Sequence, residues 1–386
     1  MAGAVDERAP AAAPVCDLVL LSWNGLEELQ PCLDSLFRTT DVPTRLLIVD
    51  NASDRPVREF LATVKAQGAV RDVQVLQNET NEGFPRGMNR GLRASRAPFV
   101  CLLNNDLIFT AGWLREMLAV AEAEPAIGVV NPMSSTLGRR PPAGMSVDAF
   151  AASRHHLRGR YVEASRCSGF CFLIKRSVLD RIGLLSEEVD RFFFEDEDFC
   201  MRAQQAGFRG AVAVGAYVFH AEHRSVRLVP DREAIFERNR RWCYQKWGRW
   251  VRAAWVRTRP LAPGTDETRV WLEQLLPWVR RRAQVHVYAP CPRGLTKHDL
   301  FDSVGLRPHA DMVLHRLPPW AAGGVALAKI LTRRKKPFDI LVAPEEDWAR
   351  LARGWGWLHG AVVVAESDQE RLGQAWQQRA RSQLPS

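Results

Sequence analysis

The chain predicts an α/β protein, and three observations carry that reading. Short, nearly unbroken apolar runs, Cys16 to Leu21, Leu46 to Val49 and Phe99 to Leu103, read as strands buried on both faces, as in a parallel sheet covered by helices. Stretches with apolar residues at helical spacing lie between them, so strands and helices alternate. Each run also stops in polar residues: Ser22-Trp23-Asn24, Asp50-Asn51 and Asn104-Asn105-Asp106. In open parallel sheets the carboxyl ends of the strands are where ligands bind, because the loops there diverge and leave a crevice.

In order, the first strand leads through Asn24-Gly25 into a helix marked by Leu26, Leu29, Leu33, Leu36 and Phe37. Arg45 to Val49 is the second strand, a helix runs from Val57 to Lys65, and Val73 to Leu76 is the third strand. The segment Asn78 to Gly91 holds Gly83, Gly87 and Gly91 among donors and acceptors, which suits backbone that passes close to a ligand. The strand ending at Asp106 follows. An Asp there suits a divalent cation that holds phosphates, although Asn-Asn-Asp also makes an ordinary turn. Gly112 to Glu122 reads as a helix, Val129-Val130 as a short strand, Met133 to Val162 as a long loop, and Ser168 to Ile174 as a strand. Phe192-Phe193-Phe194 then runs into Glu195-Asp196-Glu197-Asp198. Adjacent acids raise one another's pKa, so such a cluster suits a cation or a proton acceptor; it also suits a solvated helix start. A strand from Ala211 to Val218 leads to His220, a residue type that is more often structural than a ligand when it stands alone.

At 386 residues with 46% hydrophobic content, the chain has room for two packed domains. No apolar run reaches the roughly 18 residues of a membrane span, and Met1 to Pro14 is Ala/Pro-rich with no signal-peptide pattern. A cytoplasmic protein with a disordered tail over 1–14 is expected. Eight cysteines are scattered without a CxxC pair, which argues against a disulfide framework or a zinc site, and Cys167 and Cys171 read as buried small residues. A net charge of +9 favours anionic partners without choosing among them.

Together these segments resemble the family 2 glycosyltransferases, and within them the rhamnosyl- and galactofuranosyl-transferase-like branch. The residues that carry the resemblance are Ser22-Trp23-Asn24, Val49-Asp50-Asn51-Ala52-Ser53, Asn81-Glu82-Gly83-Phe84 with Gly87 and Asn89, Leu103 to Asp106, Ser168-Gly169, Phe194 to Asp198, and His220. They run in the family's order over residues 15–225. The resemblance implies a GT-A fold with a mostly parallel mixed sheet, and transfer of a sugar from a nucleotide-diphosphate donor to a hydroxyl acceptor with inversion. Ser22, Asn24, Asp50 and Asn51 fall where the family contacts base and ribose; Asn81, Gly83 and Asn89 match its donor loop. Asp106 matches the last carboxylate of the DxD motif, which holds Mg²⁺ or Mn²⁺, with Asn104 and Asn105 in its other positions; Asn104 replaces the first Asp. Asp196 matches the catalytic base, with Glu195 and Asp198 as neighbours that raise its pKa or bind acceptor hydroxyls. His220 falls where related enzymes add a histidine to the metal. A nucleotidyltransferase is the first rival, weakened by the absence of a glycine-rich basic loop after the first strand. A nucleotide-sugar-binding module without turnover is the second.

The expected domains are 15–230 for the transferase, 231–260 for a basic aromatic helical segment, and 261–386 for a small α/β domain of unassigned role. In the middle segment Phe236, Cys243, Trp247, Trp250 and Ala254 share one face if a single helix runs through them. Such a helix either packs on the catalytic domain or lies at an anionic membrane surface, bringing the site to a glycan or lipid-linked acceptor. No motif for nucleic acid accompanies its basic residues.

Overall fold

The computed structural model describes residues 13–222, 229–318, 326, 330, 337–356 and 360–382. Most of the expected N-terminal tail lies outside these residues. The chain divides into two compact units, one of residues 1–161 and 166–240, the other of 162–165 and 241–386.

The first unit is organised by a mixed sheet. Its strands are β1 (Cys16–Ser22), β2 (Thr44–Asp50), β3 (Val70–Gln77), β4 (Phe99–Asn104), β5 (Leu107–Phe109), β6 (Ile127–Ser134), β8 (Cys171–Lys175) and β9 (Arg209–His220), with a short β7 (Tyr161–Ala164) off the main path. The order along that path is β3-β2-β1-β4-β8-β6-β9-β5. β1 pairs in parallel with β2 and β4, and β2 with β3. β8 is antiparallel to both β4 and β6. β1 and β4 are buried almost throughout, as their unbroken apolar runs require.

Helices α1 (Leu26–Thr39), α2 (Arg55–Thr63), α3 (Gly83–Ala94), α4 (Trp113–Ala123), α5 (Val147–Ser153), α6 (Arg176–Ile182) and α7 (Glu195–Gln205) connect the strands. In α1 the buried residues Leu29, Leu33 and Leu36 are those whose spacing predicted the helix. α2 starts on Asp54, whose carboxylate caps Val57 N at 3.3 Å.

Three expectations change here. The glycine-bearing segment after β3 is largely helical, and Gly87 and Gly91 face the sheet: a Cβ on them would come within 2.5 Å of Leu21 and 2.2 Å of Val19. Those glycines let α3 lie close on β1, and only Gly83, with φ +76°, lies at the cleft described below. The long loop from Met133 to Val162 contains α5 and β7, which are too short to show periodicity. The single helix expected across Phe236 to Ala254 does not exist. It spans Arg232–Trp247, Gly248 turns the chain at φ +77°, and Val251–Val256 becomes a strand with Ala254 and Trp255 buried. The apolar face proposed for a membrane surface is therefore divided between two elements, and Cys243 within it is buried.

The second unit has a five-stranded parallel sheet of β10 (Val251–Val256), β11 (Ala283–Pro290), β12 (Met312–Leu317), β13 (Ile340–Ala343) and β14 (Val362–Ala365), in the order β12-β11-β10-β13-β14. The sequence showed the last four strands. β10, the central one, was hidden in the basic aromatic stretch, so the boundary falls near residue 240 instead of 260. Among the described residues no helix is long and apolar enough to cross a membrane.

Candidate functional site

The register of the first sheet gathers the polar strand ends. Ser22 pairs with Asp50 and Leu21 with Asn104, so β1, β2 and β4 finish at one edge. The strand order reverses between β1 and β4, and such a reversal leaves a crevice at the carboxyl ends. A cleft of about 380 Å³ lies there. Trp23, Phe84 and Phe192 give it apolar walls, Asn51, Asn81, Asn104 and Asn105 polar ones, and Asp106 and Arg191 its charges.

β9 brings His220 to this edge. It runs antiparallel to β5 with His220 opposite Leu107, which sets the imidazole beside Asp106 although the two lie far apart in the chain. His220 Nε2 is 3.1 Å from Asp106 Oδ1 and 3.4 Å from Asn104 Nδ2. Its Nδ1 lies 2.7 Å from Thr136 Oγ1, and its ring stacks on Phe170 at 5.2 Å between centroids. The ring is thus fixed on the side away from Asp106, as an orienting partner does for a metal-ligating histidine. Both side chains are largely buried, and among the described residues Asp106 Oδ1 has no hydrogen-bond partner despite its closeness to Nε2. A buried carboxylate oxygen without a hydrogen bond is costly, and a hard divalent cation is one group that relieves it. The oxygen and nitrogen donors of Asp106 and His220 fit such a cation. Among the described residues no group of three or more His, Cys, Asp or Glu side chains stands ready for a metal.

Two more buried oxygens at this edge, Ser22 Oγ and Asp50 Oδ2, also lack hydrogen-bond partners among the described residues, whereas Asp50 Oδ1 holds Ser53 N at 3.0 Å. Asn51 shapes the loop of residues 78–83. Its amide donates to Asn81 Oδ1 at 2.8 Å and Gly83 O at 3.2 Å, and its oxygen accepts from Asn78 Nδ2 at 2.8 Å and Glu82 N at 3.0 Å. Asn24, with φ 55°, spends its side-chain oxygen on Asp54 N. Asn105 Nδ2 reaches Asn24 O at 3.4 Å. Asn89 does not reach the cleft. It is buried, donates to Leu185 O at 2.9 Å and accepts from Leu185 N at 3.0 Å, so it secures the segment before the acidic cluster.

The acids at the start of α7 divide sharply. Asp196 is half-buried, and its Oδ2 accepts from Gly169 N at 2.9 Å. Burial above all, reinforced by the charge of Glu197, raises its pKa above the ordinary carboxylate range. Glu195 is buried, its Oε2 has no hydrogen-bond partner among the described residues, and burial followed by the charge of Asp196 pushes its carboxyl well up. Asp198 is fully buried and bound by Arg202 Nε at 2.8 Å, an ion pair one helical turn long. That pair anchors α7, because Arg202 also donates to Ile182 O and Leu184 O, and it leaves Asp198 unsuited to bind an acceptor hydroxyl. The two halves of the site meet at Gly169-Phe170. Gly169 N holds Asp196, the Phe170 ring stacks on His220, and Phe170 O accepts from Asn104 N at 2.9 Å. Thr136, Phe170 and Arg191 escaped the sequence reading, since no local pattern marks a residue whose partner lies many tens of positions away.

Residues 17–183 match the model of glycosyl transferase family 2. The chain is 25% identical over 256 residues to an uncharacterised protein of Sinorhizobium fredii, covering 61% of this chain and 28% of that protein. It is 24% identical over 191 residues to the uncharacterised glycosyltransferase YwdF of Bacillus subtilis, covering 48% of this chain and 66% of the relative. It thus spans between about a quarter and two thirds of these relatives' lengths. Among solved structures, the mannosyltransferase PcManGT of Pyrobaculum calidifontis, in complex with GDP-Man and Mn²⁺, aligns at 19% identity and TM-score 0.41 over 55% of this chain and 58% of that one.

Proposed function

We propose that this chain, whose residues 17–183 match the model of glycosyl transferase family 2, is a member of that family and transfers a sugar from a nucleotide-diphosphate donor to a hydroxyl acceptor. The observation that carries the reading is the pairing of Asp106 with His220 at 3.1 Å beside a cleft at the carboxyl edge of the sheet, tied through Gly169-Phe170 to Asp196. The donor's nucleoside would lie against Trp23 and the loop that Asn51 organises. Its diphosphate would lie toward Asp106 and Arg191, which also line the cleft.

Asp106 and His220 would hold Mg²⁺ or Mn²⁺, which supplies positive charge to offset that of the leaving diphosphate. Asp196 is the general base. It takes the proton of the acceptor hydroxyl as the acceptor oxygen bonds to the anomeric carbon and the bond to the diphosphate breaks, the electron pair leaving with the nucleotide. Attack from the face opposite the nucleotide inverts the anomeric centre. Partial burial supports this role, since it brings the pKa of Asp196 upward while leaving the carboxylate open to an acceptor.

The finer reading is a Mg²⁺- or Mn²⁺-dependent enzyme of polysaccharide or glycoconjugate synthesis, working in the cytoplasm on a glycan or lipid-linked glycan. Exposed basic residues of 232–247 support a peripheral contact with anionic lipid. Thermal-shift screening of nucleotide sugars with Mn²⁺, followed by detection of released nucleotide, tests the reading. One stabilising donor that is turned over supports it, and a full panel without binding or turnover defeats it.

A further inference from the structure

Three residues of the segment leading into α7 carry an unusual backbone burden. Arg191, Phe193 and Phe194 have φ of 53°, 74° and 74°, in the left-handed region that bulky side chains avoid, and Phe194 is the N-cap of α7. Such a conformation persists only where the surroundings over-determine it. The surroundings here come largely from one side chain, Asn239, on the helix Arg232–Trp247 and outside the residues matched to the family.

Asn239 is 2% exposed. Its Nδ2 donates to Asp190 O and Phe192 O at 2.8 Å each and reaches Phe193 O at 3.5 Å, while its Oδ1 accepts from Asp190 N at 3.3 Å. A single amide thus satisfies both senses of backbone hydrogen bonding across the strained turn. Around it, Phe236 meets the rings of Phe193 and Phe194 at 5.3 and 5.2 Å, and Arg238 pairs with Asp190. On its other side the turn abuts the donor loop. Phe84 N donates to Arg191 O at 2.5 Å, and a Cβ on Gly83 would lie 2.7 Å from Arg191 Cα.

We infer that Asn239 is a positioning residue for the transfer reaction: by bracing residues 190–193 it sets both the cleft wall at Arg191-Phe192 and the direction in which α7 presents Asp196. The inference rests on the proposed function for its catalytic consequence, while the bracing itself is separately measurable. The hydrogen bonds of Asn239 go to the backbone of Asp190, Phe192 and Phe193, so it acts through the backbone that carries the cleft wall and Asp196.

Hydrogen exchange on the full chain separates the two levels. In Asn239→Ala, amides of 189–199 and of 168–171 should exchange at least ten-fold faster, with those of β1 and β4 unchanged. Unchanged exchange at 189–199, or acceleration spread evenly over the first unit, would overturn the inference. Asn239→Asp keeps the size and the acceptor but loses the donor, and should show the same local pattern. If both variants fail to fold, the residue is a foundation of the fold and the positioning role is refuted. With a donor that the wild-type protein turns over, Asn239→Ala should lower kcat ten-fold or more and also raise the donor KM, since the cleft wall at Arg191-Phe192 shifts with Asp196. The acidic limb of its pH profile should move toward lower pH, as Asp196 loses its burial. An unshifted limb with an equal loss in kcat would contradict the role. A wild-type protein that turns over no nucleotide sugar would refute the functional reading and leave the exchange result to decide the bracing.

Discussion

The two sheets share a winding order and differ in what they do with it. Each places its first strand between its second and fourth, β2-β1-β4 in one and β11-β10-β13 in the other, so each has a reversal point at which a crevice is expected. In the first unit that edge opens into a 380 Å³ cleft, and three buried oxygens near it, on Ser22, Asp50 and Asp106, have no hydrogen-bond partner among the described residues. In the second unit the carboxylate following β14, Glu366, is taken up by the chain itself: its Oε1 accepts from Trp255 Nε1 at 2.8 Å and Trp271 Nε1 at 2.6 Å. Arg257, following β10, pairs with Glu267 at 2.7 Å and stacks on Trp271. Topology offers the same reversal twice, and the residues at the strand ends use it differently: a lined cleft in one unit, a carboxylate bound by two indoles in the other.

The largest effect should come from the chemistry on the open side. Asp196→Asn keeps the shape of the side chain but removes the proposed base, and should lower turnover of a donor by ~10²–10⁴-fold, while nucleotide affinity measured by calorimetry stays within about two-fold. Asp106→Ala should lower turnover by ~10²–10³-fold through lost charge at the leaving diphosphate. Both variants should keep the wild-type fold by circular dichroism. In the closed sheet, Glu366→Ala should leave turnover unchanged and cost about 1–3 kcal/mol in denaturant unfolding, since two buried indole N–H groups lose their acceptor. A loss of turnover in that variant would show that the second crevice is also a working one.

The smallest predicted effect concerns pH. Burial, and then the charge of Asp196, hold the Glu195 carboxyl well above the ordinary range. The folded protein therefore binds that proton more tightly than the unfolded chain does. This contribution to stability is fully present below the unfolded carboxylate pKa and is lost as pH rises toward and through the raised folded value. Glu195→Gln should accordingly raise the melting temperature by ~2–4 °C at pH 8, and the gain should disappear near pH 4. A gain that persists at low pH would place its origin elsewhere.

How legible this was depended on the range of the signal. β1, β2 and β4 announced themselves by unbroken apolar runs, and their ends fell at one edge because parallel pairing leaves little freedom in register. The motif residues Asp106, Asp196 and His220 could be placed in order along the sequence, and the Gly169-Phe170 turn now links them in space. What the sequence hid was of two kinds. Buried asparagines look like ligand-binding ones, so Asn89 was read as a donor contact although it holds Leu185, and nothing marked Asn239 at all. Strand β10 was hidden because its arginines and tryptophans suggest an amphipathic helix, whereas Trp255 is buried against Glu366 and the sheet. Left-handed backbone at Arg191 and Phe193 leaves no trace in residue type, since neither is a glycine or asparagine.

The account depends most on Asp106 and His220 forming one cation-dependent nucleotide site. Titration of UDP, GDP and dTDP into the wild-type protein, Asp106→Ala and His220→Ala, each with Mn²⁺ and again with chelator, measures this directly. The account predicts that one nucleotide binds the wild-type protein at least ten-fold more tightly with Mn²⁺, and that both substitutions remove this gain. Equal affinity with and without the metal, or a gain that survives both substitutions, would contradict it.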